Sequence, residues 1–283
     1  MHKFPDIKVV GPGSHSSEDD QLEYMEMPKD MYTFRNPILP EPEDVEDIDA
    51  GKQVLEDVVA ALGQYAQDPQ GTAIELDTLD ERNLDFVNQA LGEGEVSVSF
   101  DSPSPIRAQE AVLAGVWRVQ HFNDRGDVIR DTIEVGDVPS MVRNATFSSA
   151  GADLNADYEG ADPSVQNAPA VLVELADKIK TWQPDQEVHT VNLSLLPISD
   201  GDLALIGERL GVGPVTILSR GYGNCRIGST AFNNVWWIKY FNSQDVLILN
   251  TIEVVDVPSV ARAAPEDIED SRERLDEILE LYR

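Results

Sequence analysis

Apolar residues recur at helical spacing in two matched places. Val54, Leu55, Val58, Val59 and Leu62 make one helical face, and Leu172, Leu175, Ala176, Ile179 and Trp182 make another. A second pair of helices is predicted from Leu84, Val87 and Leu91 and from Leu203, Ile206 and Leu210. Each of these follows a small capping residue, Asp80 or Ser199, and runs into a glycine, Gly92 or Gly211, where a helix C′ residue belongs. Strand patterns flank them. Short ones span Ala73–Leu76 and Thr190–Leu195, and three follow in each half. These are Val96–Phe100, Val116–Phe122 and Val128–Val135, then Val215–Leu218, Val235–Phe241 and Val246–Val255. Links containing Asn, Asp or Gly join the last two strands of each set as in a hairpin.

The two patterns are one pattern written twice. LGEGEVSV (91–98) returns as LGVGPVTI (210–217), VWRVQHFN (116–123) as VWWIKYFN (235–242), and DTIEVGDVPS (131–140) as NTIEVVDVPS (250–259), all offset by 119 residues. From residue 91 to 145 the copies align without a gap, with 20 identities in 55 positions. The expected fold class is α+β: two tandem related domains from an internal duplication, each with helices on a small mixed or antiparallel sheet. The expected boundaries are a proline-rich acidic segment at 1–50, repeats at 51–147 and 169–264, a linker at 148–168 and a terminal helix at 265–283. The first segment lacks a sustained apolar period and reads as extended or partly disordered.

Composition narrows the function classes. With 52 acidic against 21 basic residues the net charge is −31, which repels nucleic-acid backbones and attracts basic proteins or peptides in a salt-dependent way. No apolar run is long enough to span a bilayer, and the start, MHKFPDIKVVGPGSHSSEDD, lacks a secretory signal core. Cytoplasmic localisation is expected. One cysteine excludes an internal disulfide and a four-thiolate metal site within one chain, and four scattered histidines suggest no metal or cofactor. No catalytic constellation stands out.

Differences between the copies are the places to look for function. SFDSPSPIRAQEA (99–111) becomes LSRGYGNCRIGST (218–230), read as a glycine-rich loop over 219–230. Arg220, Gly221, Tyr222, Gly223, Asn224 and Cys225 are its candidate partner-binding residues, because glycines allow close backbone approach and Tyr222 offers an aromatic contact. Arg220 and Arg226 would favour a Cys225 thiolate, although a small buried cysteine is the commoner outcome. On the following hairpin Arg118 becomes Trp237 and Arg130 becomes Leu249, an expected apolar contact patch on one side of the sheet or a packing surface. Arg107 with Glu134 and Arg226 with Glu253 are expected as equivalent structural ion pairs.

Several strings carry a family resemblance. NLSLLPISDGDL, SRGYGNCRI, NVWWIKYFNS, LILNTIEVVDVP and AAPEDIEDSRERLDEI resemble the HupH/HyaF/HoxQ family of hydrogenase expression and formation proteins. GPGSHSSEDD, MPKDMYTFRNPILPEPE and GEGEVSVSF resemble it as well, so the match runs over nearly the whole chain. The resemblance implies an accessory factor for [NiFe] hydrogenase maturation, acting on the small-subunit precursor during iron–sulfur assembly and before export. A client-specific chaperone is the leading expectation, with the precursor, including its basic twin-arginine leader, as partner beside other accessory proteins. A thiol-redox or cluster-transfer factor using Cys225 is the alternative, and a structural subunit of the mature enzyme the third reading.

Overall fold

The structure, a computed structural model, describes residues 39–40, 46–65, 71–160, 162–220 and 224–282. The expectation for residues 1–50 therefore lies almost wholly outside the described residues. In chain order the elements are α1 (Asp49–Tyr65), β1 (Thr72–Glu75), α2 (Glu81–Leu91), β2 (Val96–Phe100), β3 (Ile106–Glu110), β4 (Val116–Phe122), β5 (Val128–Val135) and α3 (Ser140–Asn144). They continue with α4 (Ala168–Thr181), β6 (His189–Asn192), α5 (Asp200–Leu210), β7 (Val215–Ser219), β8 (Asn224–Ser229), β9 (Val235–Phe241), β10 (Leu247–Val254) and α6 (Pro265–Glu280). The chain is thus a mixed α+β protein with antiparallel strand pairing, and it divides into two units. One unit runs to Thr146 and resumes at Ser259; the other is Phe147–Pro258.

In the first unit the strand order is β1-β5-β4-β3-β2. Leu55, Val58 and Leu62 of α1 and Phe86 and Val87 of α2 are buried with Val116, Ile133 and Val135 of the sheet. Each fully buried side chain of this size contributes roughly 1.5–3 kcal/mol. α6 closes the same core through Ile268, Leu275 and Leu279. The terminal helix, which has no counterpart after the first copy, therefore packs with the first half. Asp137 fixes its approach: Arg262 and Arg143 both donate to Asp137 Oδ2, at 2.7 and 2.6 Å, and Tyr65 donates to Oδ1.

In the second unit the order is β7-β8-β9-β10-β6. Val171, Leu172 and Leu175 of α4 and Ile206 and Leu210 of α5 pack on Val235, Trp237, Ile252 and Val254. Leu154, in the segment expected as linker, is buried in this core with Tyr158 and Val165 packed against it, and Gly151 bonds to Ala231 and Asn233. That segment thus contributes packing as well as connection.

One position ties two helices together in each unit. In the first, Asn83 Oδ1 accepts from Gly51 N of α1 at 2.7 Å while Asp80 caps α2 through Asn83 N. Its partner at offset 119, Asp202, accepts from the N–H groups of Gln166, Asn167 and Ala168 at the start of α4, each at 2.8 Å. Its other oxygen completes a capping box with Ser199 at the start of α5. Burial would raise this carboxyl, but the N–H groups of Ala168, Ser199, Gln166 and Asn167 hold it at about 2.

Two expectations need correction. The stretches 99–111 and 218–230 are not loops throughout: β3 and β8 form inside them, pairing with the strands on either side. These strands are short and poor in aliphatic residues, so alternation gave little signal in IRAQE or NCRIGS. The expected ion pairs also do not form. Register places Arg107 opposite Gln120 but Glu134 opposite Trp117, which puts the two side chains on opposite faces. Arg107 instead pairs with Asp101 at 3.0 Å, and Glu134 accepts from Ser140. In the second unit Arg226 is opposite Lys239 and Glu253 opposite Trp236, with the same consequence.

Candidate functional site

The divergent region of the second unit is the far end of β7, β8, β9 and β10. Gly221, Tyr222 and Gly223 lie outside the described residues. Arg220 directly follows β7, and Asn224 opens β8 with its amide donating to Asp245 Oδ1 at 2.9 Å. Asp245 holds φ at 57° in the β9–β10 turn, where Asn242 Oδ1 accepts from Gln244 N and Val246 N.

Cys225 sits on β8 opposite Tyr240 and Ser219 and is only 5% exposed. Burial pushes its thiol up to about 12, against a lowering by its hydrogen bond with Tyr240, and Glu253 raises it further. Tyr240 is likewise pushed to about 12, chiefly by burial. At neutral pH this is a protonated thiol in a closed site rather than a nucleophile. Against an ordinary value of 9.0 the thiolate fraction falls about 1000-fold. Cys225 should therefore resist a disulfide reagent at pH 8 in the folded chain and react stoichiometrically once urea unfolds it. Rapid labelling of folded protein, followed by absorbance, would contradict the buried thiol.

Trp237 is not part of an exposed patch. It is 8% exposed, faces α5, and donates from Nε1 to Asn250 Oδ1 at 2.5 Å. Register also separates it from Leu249: Trp237 is opposite Ile252, whereas Leu249 is opposite Tyr240, so the two lie on different faces. The same holds for Arg118 and Arg130. A register shift near the hairpin end, between Leu247 and Leu249, breaks the simple count of alternation. Leu249 itself is half-buried.

The first unit explains why Trp237 could become core. There Arg118 forms a two-pronged ion pair with Asp131, at 3.0 and 2.6 Å, and donates to Asn88 of α2 at 2.6 Å. At offset 119 the trio Asn88, Arg118 and Asp131 becomes Gly207, Trp237 and Asn250. A β-carbon on Gly207 would lie 3.7 Å from the Trp237 ring, in ordinary contact, so the indole packs directly over this position and a side chain longer than alanine would meet it. A polar network has been exchanged for an aromatic plug as a set.

Next along the same face lies a row that single-residue reading missed. Arg226 is the cross-strand neighbour of Lys239. The Arg226 guanidinium lies 4.5 Å from the Phe241 ring centre and the Lys239 ammonium 4.8 Å from that of Trp237. Burial, followed by the neighbouring Arg226, lowers Lys239 to about 8. The signal was in the repeat: Asp101, Gln120 and Asp131 of the first copy become Arg220, Lys239 and Asn250 in the second. Among the described residues no group of side chains suited to hold a metal ion is found.

Comparison with known proteins gives this geometry its context. The family model described as "HupH hydrogenase expression protein, C-terminal conserved region" matches residues 48–153 and 165–282. The chain is similar to the hydrogenase expression/formation protein HoxQ of Cupriavidus necator, 45% identical over 280 residues, 99% of this chain and 98% of that one. It is also similar to the hydrogenase-1 operon protein HyaF of Escherichia coli, 34% identical over 75% of this chain and 74% of that one. A solved structure, the hydrogenase expression protein HupH from Thiobacillus denitrificans, is 32% identical over 40% of this chain and 95% of its own, with a TM-score of 0.39. The chain belongs to the HupH family of hydrogenase expression/formation proteins.

Proposed function

We propose that this protein is a hydrogenase maturation accessory factor that works by holding a client rather than by catalysis. The client is the small-subunit precursor, held in the cytoplasm during iron–sulfur assembly and before export. Its relatives' naming as hydrogenase expression/formation proteins supports the hydrogenase role. The observation that carries holding over chemistry is the closed environment of Cys225, the chain's one thiol, 5% exposed and pushed to about 12. A thiol-redox or cluster-transfer factor needs an accessible thiolate.

The net charge of −31 supports electrostatic capture of a basic leader segment, with attraction that fades as salt rises. Contact is assigned to the end of the second unit, at Arg220, Asn224, Leu249 and the intervening Gly221, Tyr222 and Gly223. Trp237 drops out of that set because it is core. Among the described residues no helix is long and apolar enough to cross a membrane. The two units read as copies of one duplicated ancestor, of which the second acquired the client contact.

The test is capture of tagged small-subunit precursor by the full chain, at low and high salt. The parent and Cys225→Ser should capture it equally, and high salt should weaken both. Leu249→Arg, which restores the residue of the first unit, should weaken capture about tenfold, near 1.4 kcal/mol. Absence of capture by the parent would end the holding model, and loss with Cys225→Ser alone would return the thiol to the centre.

A further inference from the structure

The first strand of each unit stands at the end of its strand order: β1 pairs with β5 alone and β6 with β10 alone. Glu75 opposite Thr132 and Asn192 opposite Thr251 are equivalent register pairs, so Asn192 repeats Glu75. The edge of β1 is guarded by charge, with Glu75 bound to Arg130 and Asp77 close behind. The edge of β6 is not. Residues 188–196, VHTVNLSLL, hold no acid, lysine or arginine in a chain where 26% of residues are charged. Sheets blunt their edges with charge because a bare edge templates pairing with another strand. The link from β6 to the Ser199 cap is also longer, residues 193–198 where 76–79 serve in the first unit, and it brings out Leu195 and Leu196, 81% and 41% exposed.

Register settles which backbone groups this edge presents. Val255 N donates to Asn234 O at 2.8 Å, in line with the pairing of Val254 with Val235. Alternation along an antiparallel strand then turns Thr251, Glu253 and Val255 towards β9, and Ile252 and Val254 towards β6. Their partners Val191 and His189 bond inward, so the N–H and C=O groups of Thr190 and Asn192 point outward. Thr190 is exposed, and exposed Val188 precedes the strand as Leu195 and Leu196 follow it. A cavity of about 330 Å³ opens alongside, lined by Lys178 and Thr181 of α4 and by Glu187, Val188 and His189. His189 meets Glu174 of α4 at 2.8 Å, so the helical stripe of Glu174, Asp177 and Lys178 flanks the strand.

We infer that the outer edge of β6 binds an extended peptide of alternating apolar and basic residues as an added strand. The outward groups of Thr190 and Asn192 select an extended backbone, and Val188, Leu195 and Leu196 favour apolar side chains along it. Charge complementarity selects the basic ones. Glu187 lines the cavity, Glu174 and Asp177 stand on the flanking stripe and Asp185 lies in the link from α4 to β6, against Lys178 and His189 as the local bases. Lys178 is itself 3.8 Å from Asp177. A second copy of the chain is the poorer occupant, because each copy carries 31 excess negative charges. The inference goes beyond the holding model, and its test uses no hydrogenase component, so either can fail without the other.

The probe is a fluorescein-labelled octapeptide of alternating valine and lysine, followed by anisotropy with the full chain at physiological salt. The parent should bind it saturably. The same peptide methylated on every backbone nitrogen keeps its charge but loses its strand donors, and should bind about tenfold more weakly. Thr190→Pro removes an outward N–H and leaves the bonds to β10 in place, so it should weaken binding of the unmethylated peptide by about tenfold as well. Ala73→Pro, the equivalent change on β1, should alter nothing. Failure of the parent to bind would overturn the assignment. Equal binding of the methylated peptide would do so too, whether or not the proline variant folds, because it would mean adhesion to an acidic surface alone. A dimer of the parent that Thr190→Pro disperses in sedimentation would put a second copy on the edge and overturn the peptide as its occupant.

Discussion

Replacing Trp237 by arginine, the residue of the first unit, should destabilise the second unit by roughly 4 kcal/mol. The indole is 8% exposed, packs in the α4/α5 core and donates to Asn250. An arginine there loses that burial and meets an amide where Arg118 meets the carboxylate of Asp131. It also arrives beside Lys239 and Arg226, which adds like-charge repulsion. The triple exchange Gly207→Asn/Trp237→Arg/Asn250→Asp rebuilds the first-unit trio of Asn88, Arg118 and Asp131 and should recover at least half of the loss. Urea unfolding of parent, single and triple variants reads this directly. A triple variant no more stable than Trp237→Arg would mean that the two networks are not interchangeable and that the surrounding core, not the trio, decides the residue.

This exchange also shows what was legible in the sequence. Helices came through because their apolar stripes and caps are local: Asp80 and Ser199 do cap α2 and α5, and Gly92 and Gly211 take φ of 61° as helix-terminating glycines. Burial of Trp117, Val119, Trp236 and Ile238 followed from alternation along β4 and β9. The other side of the sheet did not come through. A residue that changes from Arg to Trp reads as an exposed apolar addition unless Asn88→Gly and Asp131→Asn are seen to change with it. Those partners are 30 and 13 positions away along the first copy. The ion pairs failed for a related reason. Arg107 and Glu134 are present in both copies, but only the register of β3, a strand with little sequence signal, puts them on opposite faces. The change of Gln120 to Lys239 beside Arg226 was visible in the repeat, yet the two cations are neighbours only because β8 is a strand.

Asp202→Ala should be the other severe change, costing about 3 kcal/mol. It removes the acceptor for three N–H groups at the start of α4 and the return half of the Ser199 capping box, so two helix starts lose their tie at once. Asp202 is fully buried, and water does not replace it easily. Asp202→Asn, which installs the residue of the first unit, keeps one acceptor oxygen and should cost less than half as much. The two variants differ again in pH dependence. The folded-state carboxyl lies at about 2 against an ordinary 3.8, a depressed value. Its contribution is therefore fully present above 3.8 and is lost as pH falls from 3.8 towards 2. The gap in stability between parent and Asp202→Asn should narrow across that window, because the asparagine has no proton to take up. Other carboxylates of this acidic chain titrate there too, so the difference between the two proteins, not either midpoint alone, is the quantity to follow in urea unfolding. A gap that stays constant from pH 5 to pH 2.5 would show that the buried contact is made by the shape of the side chain and not by its charge.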